Sequence, residues 1–246
     1  MQTLIQLTHY IPIVTTIISF AFTVVLFRHW RRKPEAAYLM WWCIGAFLFG
    51  IGTLTEAYTG LFGWNNFVLK ARYISGALMG GAPLAQGTVY LLLKKKTADI
   101  MAACLIAYTV IASICVALSP VNAAADHFNL TGRGTFEWAW VRAFSPFSNT
   151  YALIFLVGGA AWSAFQYARK QGTGNRMWGN IWIAVGALLP GIGGSFTRFG
   201  FTEVLFVTEF IGILLSWLVS VDDNSGIALH SPGTTNSTDK LILEAP

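Results

Sequence analysis

Seven apolar blocks, each close to the length of a membrane-crossing helix, decide what this chain can fold into. They cover residues 10–27, 37–55, 67–93, 100–118, 149–165, 178–197 and 201–221. Crossing ~30 Å of hydrocarbon takes about 20 residues at 1.5 Å each. The blocks are too continuous for alternating strands and too long for the core helices of a soluble domain. Composition agrees: 11% of the 246 residues are charged, against roughly 25% in an average soluble domain. The expected fold is an all-α membrane protein. Residues 1–221 form a seven-transmembrane up-and-down helical bundle, and 222–246 form a polar, flexible cytoplasmic tail rich in Gly, Ser and Thr.

Basic residues set the direction. Arg28, Arg31, Arg32 and Lys33 follow the first block, Lys94, Lys95 and Lys96 the third, and Arg169, Lys170 and Arg176 the fifth. With Lys240 they place eleven of the sixteen basic residues on one side, and Lys70, Arg72, Arg133, Arg142 and Arg198 are the other five. Cytoplasmic loops collect Lys and Arg, so the N-terminus is expected outside and the C-terminus in the cytoplasm. A bacterial cytoplasmic (inner) membrane is the expected location, and the lipid bilayer the first partner. Topology accounts for the net charge of +5, and a nucleic-acid partner is rejected. The opening MQTLIQLTHY has no basic residue, so it lacks the n-region of a cleavable signal peptide, and the first block is expected to remain as a helix.

The connection 119–148 is the one long loop, on the outer side. Phe128, Phe136, Trp138, Trp140, Phe144 and Phe147 give it enough aromatic surface to lie in the membrane interface or to fold over the bundle mouth as a lid. Cys43, Cys104 and Cys115 all lie within apolar blocks and read as small hydrophobes rather than a disulfide framework.

Small and polar residues fall into helical stripes. Trp41, Gly45, Gly52 and Glu56 share a face of the second block. The third shows Arg72, Gly76, Gly80, Pro83, Gly87 and Tyr90, the sixth Gly186, Pro190, Gly193 and Thr197, and the seventh Thr202, Glu209, Ser216 and Ser220. Close helix packing is one use of such glycines. A second is a hinge at Pro190, Gly191, Gly193 and Gly194, where proline frees a backbone carbonyl. An ionisable group in hydrocarbon costs on the order of 2.5–3.5 kcal/mol or more unless paired or hydrated. Glu56 with Arg72 and Arg198 with Glu203 bracket the two outer turns as candidate ion pairs. Lys70 reads as a snorkelling anchor. Glu209 lies six residues beyond Glu203, about 9 Å deeper. It is either a ligand-binding or proton-carrying acid, with Arg72 or Arg198 as partner, or a protonated structural one. The ligand-binding or proton-carrying candidates are therefore Glu56, Arg72, Tyr90, Arg198, Glu203 and Glu209.

No catalytic or metal-binding residue is assigned. HExxH, paired CxxC, P-loop and GxSxG signatures are absent from the sequence. His9 and His29 flank the first block, His127 lies in the long loop and His230 in the tail, which argues against a bis-histidine haem within the bundle.

Three resemblances follow from particular segments. ARYISGALMGGAPL, residues 71–84, resembles the third-helix pattern of microbial rhodopsins, which implies a rhodopsin-like bundle shape. Covalent retinal needs a lysine in the seventh helix, and FTEVLFVTEFIGILLSWLVS contains none, so retinal attachment is rejected. In helix count, orientation and size the chain is similar to the seven-helix sensor regions of bacterial histidine kinases, although these residues include no kinase segment. GTVYLLL and GALLPGIGGSFTRFG with TEFIGILL look like a family of uncharacterised bacterial inner-membrane proteins, implying a fold and no activity.

The function expected first is non-enzymatic: binding of a small or lipid-like ligand of unknown identity between helices two, three, six and seven. The protein then acts as a sensor or as an accessory subunit of a membrane complex, with partner subunits or further copies of itself. The alternative is a transporter or proton-coupled carrier in which Glu209 titrates and Pro190 gates. A membrane enzyme acting on lipid ranks third.

Overall fold

The computed structural model describes residues 10–63, 65–122, 135–168 and 174–221. The tail 222–246, the middle of the long loop with His127, Phe128 and Arg133, and His9, Arg169 and Lys170 lie outside the described residues. Among those described the fold is all-helical, apart from an isolated bridge between Val121 and Phe136. The helices are α1 Ile11–Arg32, α2 Ala37–Phe62, α3 Asn66–Arg72, α4 Ala82–Leu92, α5 Lys95–Leu118, α6 Phe144–Ala152, α7 Gly159–Ala168, α8 Gly174–Phe196 and α9 Thr202–Val221. Of these, α1, α2 and α5 are each long and apolar enough to cross a membrane.

Helix α1 packs on α2, α2 on α4, α7 on α8, α8 on α9, and α9 returns to α1. The return contact is built from Phe22, Leu26, Ala46 and Ile213, with the rings of Phe22 and Trp217 5.9 Å apart. This closure brings the last described helix beside the first and sets α9 within reach of α2.

Small residues let the backbones approach. Gly45 leaves room for Leu84, and Gly87 for the indole of Trp42, whose Nε1 donates to the Leu84 carbonyl at 3.1 Å. Between α1 and α2, Thr16 donates to Thr53 at 3.0 Å. Each such interhelical bond contributes about 0.6 kcal/mol in lipid, where no hydrophobic force draws helices together.

The third block is not one helix, which corrects the expected stripe. Asn65 caps α3 by accepting from the Val68 amide at 2.9 Å. The chain then widens into a π-helix, Tyr73–Leu78, and turns at Met79–Gly81, and α4 restarts with Pro83 in its first turn. Proline suits a helix start because its missing N–H has no intrahelical partner there. The π-turn and the break shift the register, so Arg72, Gly76, Gly80, Pro83, Gly87 and Tyr90 do not share a face: Pro83 and Gly87 are buried while Gly76 is exposed. The carbonyl of Leu78, at the break, accepts from the Ser148 hydroxyl, as irregular backbone at membrane depth requires.

The fifth block also begins earlier than the apolar run predicts. A 3-10 turn at Ala139–Ala143 leads into α6, and a π-helix at Leu153–Gly158 joins α6 to α7. Phe144 and Phe147 thus belong to a helix rather than to the loop. What is described of the loop is docked in part: Phe136 and Val141 are buried with Val116, beside Tyr73 and Ile74.

Candidate functional site

Helix α2 presents Trp41, Gly45, Gly52 and Glu56 to the interior, and all four are buried. One turn before Glu56, a Cβ on Gly52 would lie 3.4 Å from the Cα of Gly76. This close approach of α2 to the π-helix places Glu56 directly opposite Arg72, the last residue of α3.

The two form the ion pair that the short outer turn predicts. Arg72 Nη2 donates to Glu56 Oε1 at 2.9 Å and Nε to the same oxygen at 3.2 Å. The side chains are 14% and 5% exposed. Both donors fall on one carboxylate oxygen, and Glu56 Oε2 is buried with no hydrogen-bond partner. A buried acceptor without a donor costs about 1–3 kcal/mol, more when charged.

The neighbour on the far side is another acid. Glu209, from α9, is partly buried and lies in the field of Glu56 and of Arg72. Two ionised carboxylates hold only acceptors, so their proximity gives Oε2 no donor. The site is a guanidinium and two carboxyls drawn from α2, α3 and α9, with one positive charge against two potential negative ones. Among the described residues no three His, Cys, Asp or Glu side chains gather as a metal-binding group.

The remaining candidates lie apart from this cluster or beside it. Tyr90 stands near the opposite end of the third block, where its hydroxyl donates to Asp99 Oδ1 at 2.8 Å, so it does not join Glu56 and Arg72. Glu203 is half-buried in the first turn of α9. Arg198 stands in the 3-10 turn Thr197–Phe199, and its side chain lies outside what is described. Lys70 donates to the carbonyl of Ala117 at 2.7 Å, where a cation compensates the free carbonyls ending α5.

Pro190 stands inside a helix that continues to Phe196. It leaves the carbonyl of Gly186 without its usual helical donor. Gly186 meets Gly212 of α9 so closely that a Cβ on Gly186 would lie 2.9 Å from the Gly212 oxygen, and one on Gly212 would lie 3.1 Å from Pro190 Cδ. Gly193 packs on Leu205 and Thr208, whereas a Cβ on Gly191 or Gly194 would meet nothing within 4 Å. Pro190, Gly186 and Gly193 thus carry the packing of α8 on α9.

A second polar group was not anticipated. Gln86, fully buried in α4, donates through Nε2 to the Ala98 carbonyl at 3.0 Å and accepts from the Tyr151 hydroxyl. Its signal in the sequence is a lone glutamine within an apolar run. The stripe Thr15, Ser19 and Thr23 of α1 was also missed; these hydroxyls bond back to the carbonyls of Ile11, Thr15 and Ser19.

Comparison of the chain with protein-family models, with curated proteins and with solved structures finds no match.

Proposed function

We propose that the chain is a seven-helix integral membrane protein of the bacterial cytoplasmic membrane, N-terminus outside and C-terminus inside. In this reading it binds a small or lipid-like ligand in the outer half of the bundle and works as a sensor or as an accessory subunit of a membrane complex. The third and fifth blocks count as single crossings, each interrupted by a π-helix. The alternation of basic clusters between blocks supports the direction.

The observation that carries the binding role is the buried Glu56 Oε2. Closed packing would give such an oxygen a donor or exclude it, and instead it stands where α2, α3 and α9 converge. Both Arg72 donors converge on one carboxylate oxygen rather than on the two that a bidentate pair uses. The π-helix beside Arg72 adds support, since π-turns concentrate at functional sites.

The test is purification in mild detergent, followed by native mass spectrometry and absorption spectroscopy. A bound non-protein mass or a copurifying subunit is expected, reduced in Glu56→Gln. A monomer carrying nothing overturns the reading.

A further inference from the structure

We propose that the end of the bundle opposite the Glu56–Arg72 pair carries a binding surface for anionic phospholipid, in which cations for the headgroup continue exposed apolar stripes on α1 and α5. The surface stands on helices long and apolar enough to cross a membrane. It needs neither the Glu56 site nor the ligand proposed there.

Two basic runs meet at this end. Arg28, Arg31, Arg32 and Lys33 finish α1, and Lys94, Lys95 and Lys96 start α5. The short turn 33–36 leads from α1 into α2, whose Trp41 is buried with Ala102 and Leu105 near the start of α5. The two runs therefore lie on the same side of the bundle. All seven side chains are exposed, and none makes an ion pair or a side-chain hydrogen bond among the described residues. The described acids beside them are Glu35 and Asp99, and Asp99 already accepts from the Tyr90 hydroxyl. An excess of one sign on a single surface draws its counter-charge from outside the chain.

The helix period decides what that counter-charge is attached to. Val24, Phe27, Arg28 and Arg31 fall at i, i+3, i+4 and i+7 on one face of α1, and all four are exposed. Lys96, Ile100, Ala103 and Ala107 repeat the pattern on α5 and are exposed as well. Each stripe runs from apolar side chains into cations. None of the seven cations lies more than six residues from Phe27 or Ile100, about 9 Å along the helix axis and within side-chain reach of the headgroup layer. An acyl chain laid along either stripe brings its phosphate among these cations, whereas a water-soluble acidic partner matches the charges and leaves the apolar part uncovered. The ring of Trp30, 5.8 Å from that of Phe27, adds the amphipathic aromatic that favours this depth.

The experiment is native mass spectrometry of the full, delipidated chain in mild detergent, titrated with phosphatidylglycerol and with phosphatidylcholine of the same acyl chains. Phosphatidylglycerol is expected to bind about tenfold more tightly or better, with the preference falling as salt rises. At about fivefold per cation, Lys94→Gln/Lys95→Gln/Lys96→Gln weakens its binding by on the order of a hundredfold, and Lys94→Arg/Lys95→Arg/Lys96→Arg keeps it. Lys70→Gln and Glu56→Gln leave the preference unchanged, which separates this surface from the site at the other end. Equal binding of the two lipids by the unsubstituted chain overturns the proposal, so a variant that fails to fold does not shield it. A preference that survives the glutamine variant, or that inorganic phosphate at equal concentration abolishes, overturns it too. A preference seen only after Asp222→Asn/Asp223→Asn assigns the cations to the chain's own tail, and a copurifying acidic protein that phosphatidylglycerol cannot displace assigns them to that protein; either result overturns the lipid.

Discussion

In the orientation proposed above, the bundle holds an inner and an outer polar cluster that have been solved in opposite ways. At the inner one Gln86 has both ends of its amide engaged, donating to the Ala98 carbonyl and accepting from Tyr151, so it joins α4, α5 and α6. At the outer one Glu56 has one oxygen doubly served by Arg72 and the other without a donor, beside a second acid. A neutral network with every group paired specifies packing, whereas a charged one left incomplete keeps capacity for something else. The comparison teaches where to look: in the function proposed above, the inner cluster is scaffold and the outer one is the site.

The largest effect is expected at Arg72. Arg72→Ala leaves the buried Glu56 without its counter-charge and should cost about 3–5 kcal/mol, read as a fall in the unfolding midpoint in detergent. A loss under about 1 kcal/mol, the range of exposed ion pairs, would show that water already serves the cluster and would break the contrast. Next comes Gln86→Leu, which strands the Tyr151 hydroxyl and removes the tie to the Ala98 carbonyl, and should cost about 1–3 kcal/mol. Binding at the outer cluster should be unchanged, and a change in it would mean that the inner network is not mere scaffold. Gly87→Ala forces a methyl against the Trp42 ring and should cost about 1–3 kcal/mol by overpacking, with loss of the normal Trp42 fluorescence environment. Its expected neutrality for binding makes it a second control from the packed side.

The smallest effect on stability belongs to Glu209→Gln. The amide supplies Glu56 with an uncharged donor at similar volume, so the unfolding midpoint should stay within about 0.5 kcal/mol of the parent while binding at the cluster is lost. Destabilisation as large as that of Gln86→Leu would place Glu209 with the scaffold.

Which parts of this were legible in the sequence follows from the physics of each element. The buried face of α2 was, because an unbroken α-helix keeps its 3.6-residue period and carries Trp41, Gly45, Gly52 and Glu56 inward together. The Glu56–Arg72 pair was too, since a short turn sets the end of one helix level with the start of the next. The third block was misread because hydrophobicity is blind to the wider π-turn at Tyr73–Leu78 and to the break before Ala82. Those few residues rotate everything after them and carry Tyr90 away from the site. Glu209 is legible as an acid within an apolar helix by its depth alone. That it faces Glu56 depends on α9 closing against α1, a contact across nearly the whole chain that no local pattern encodes.

The contrast between the two clusters is tested most directly by comparing Glu209→Gln with Gln86→Leu, measuring for each the unfolding midpoint and the mass retained in native mass spectrometry. The account predicts that Glu209→Gln unfolds with the parent and loses the bound mass, while Gln86→Leu unfolds earlier and keeps it. The opposite pattern, with Glu209→Gln unfolding early yet retaining its ligand, would contradict the assignment of the outer cluster as the site.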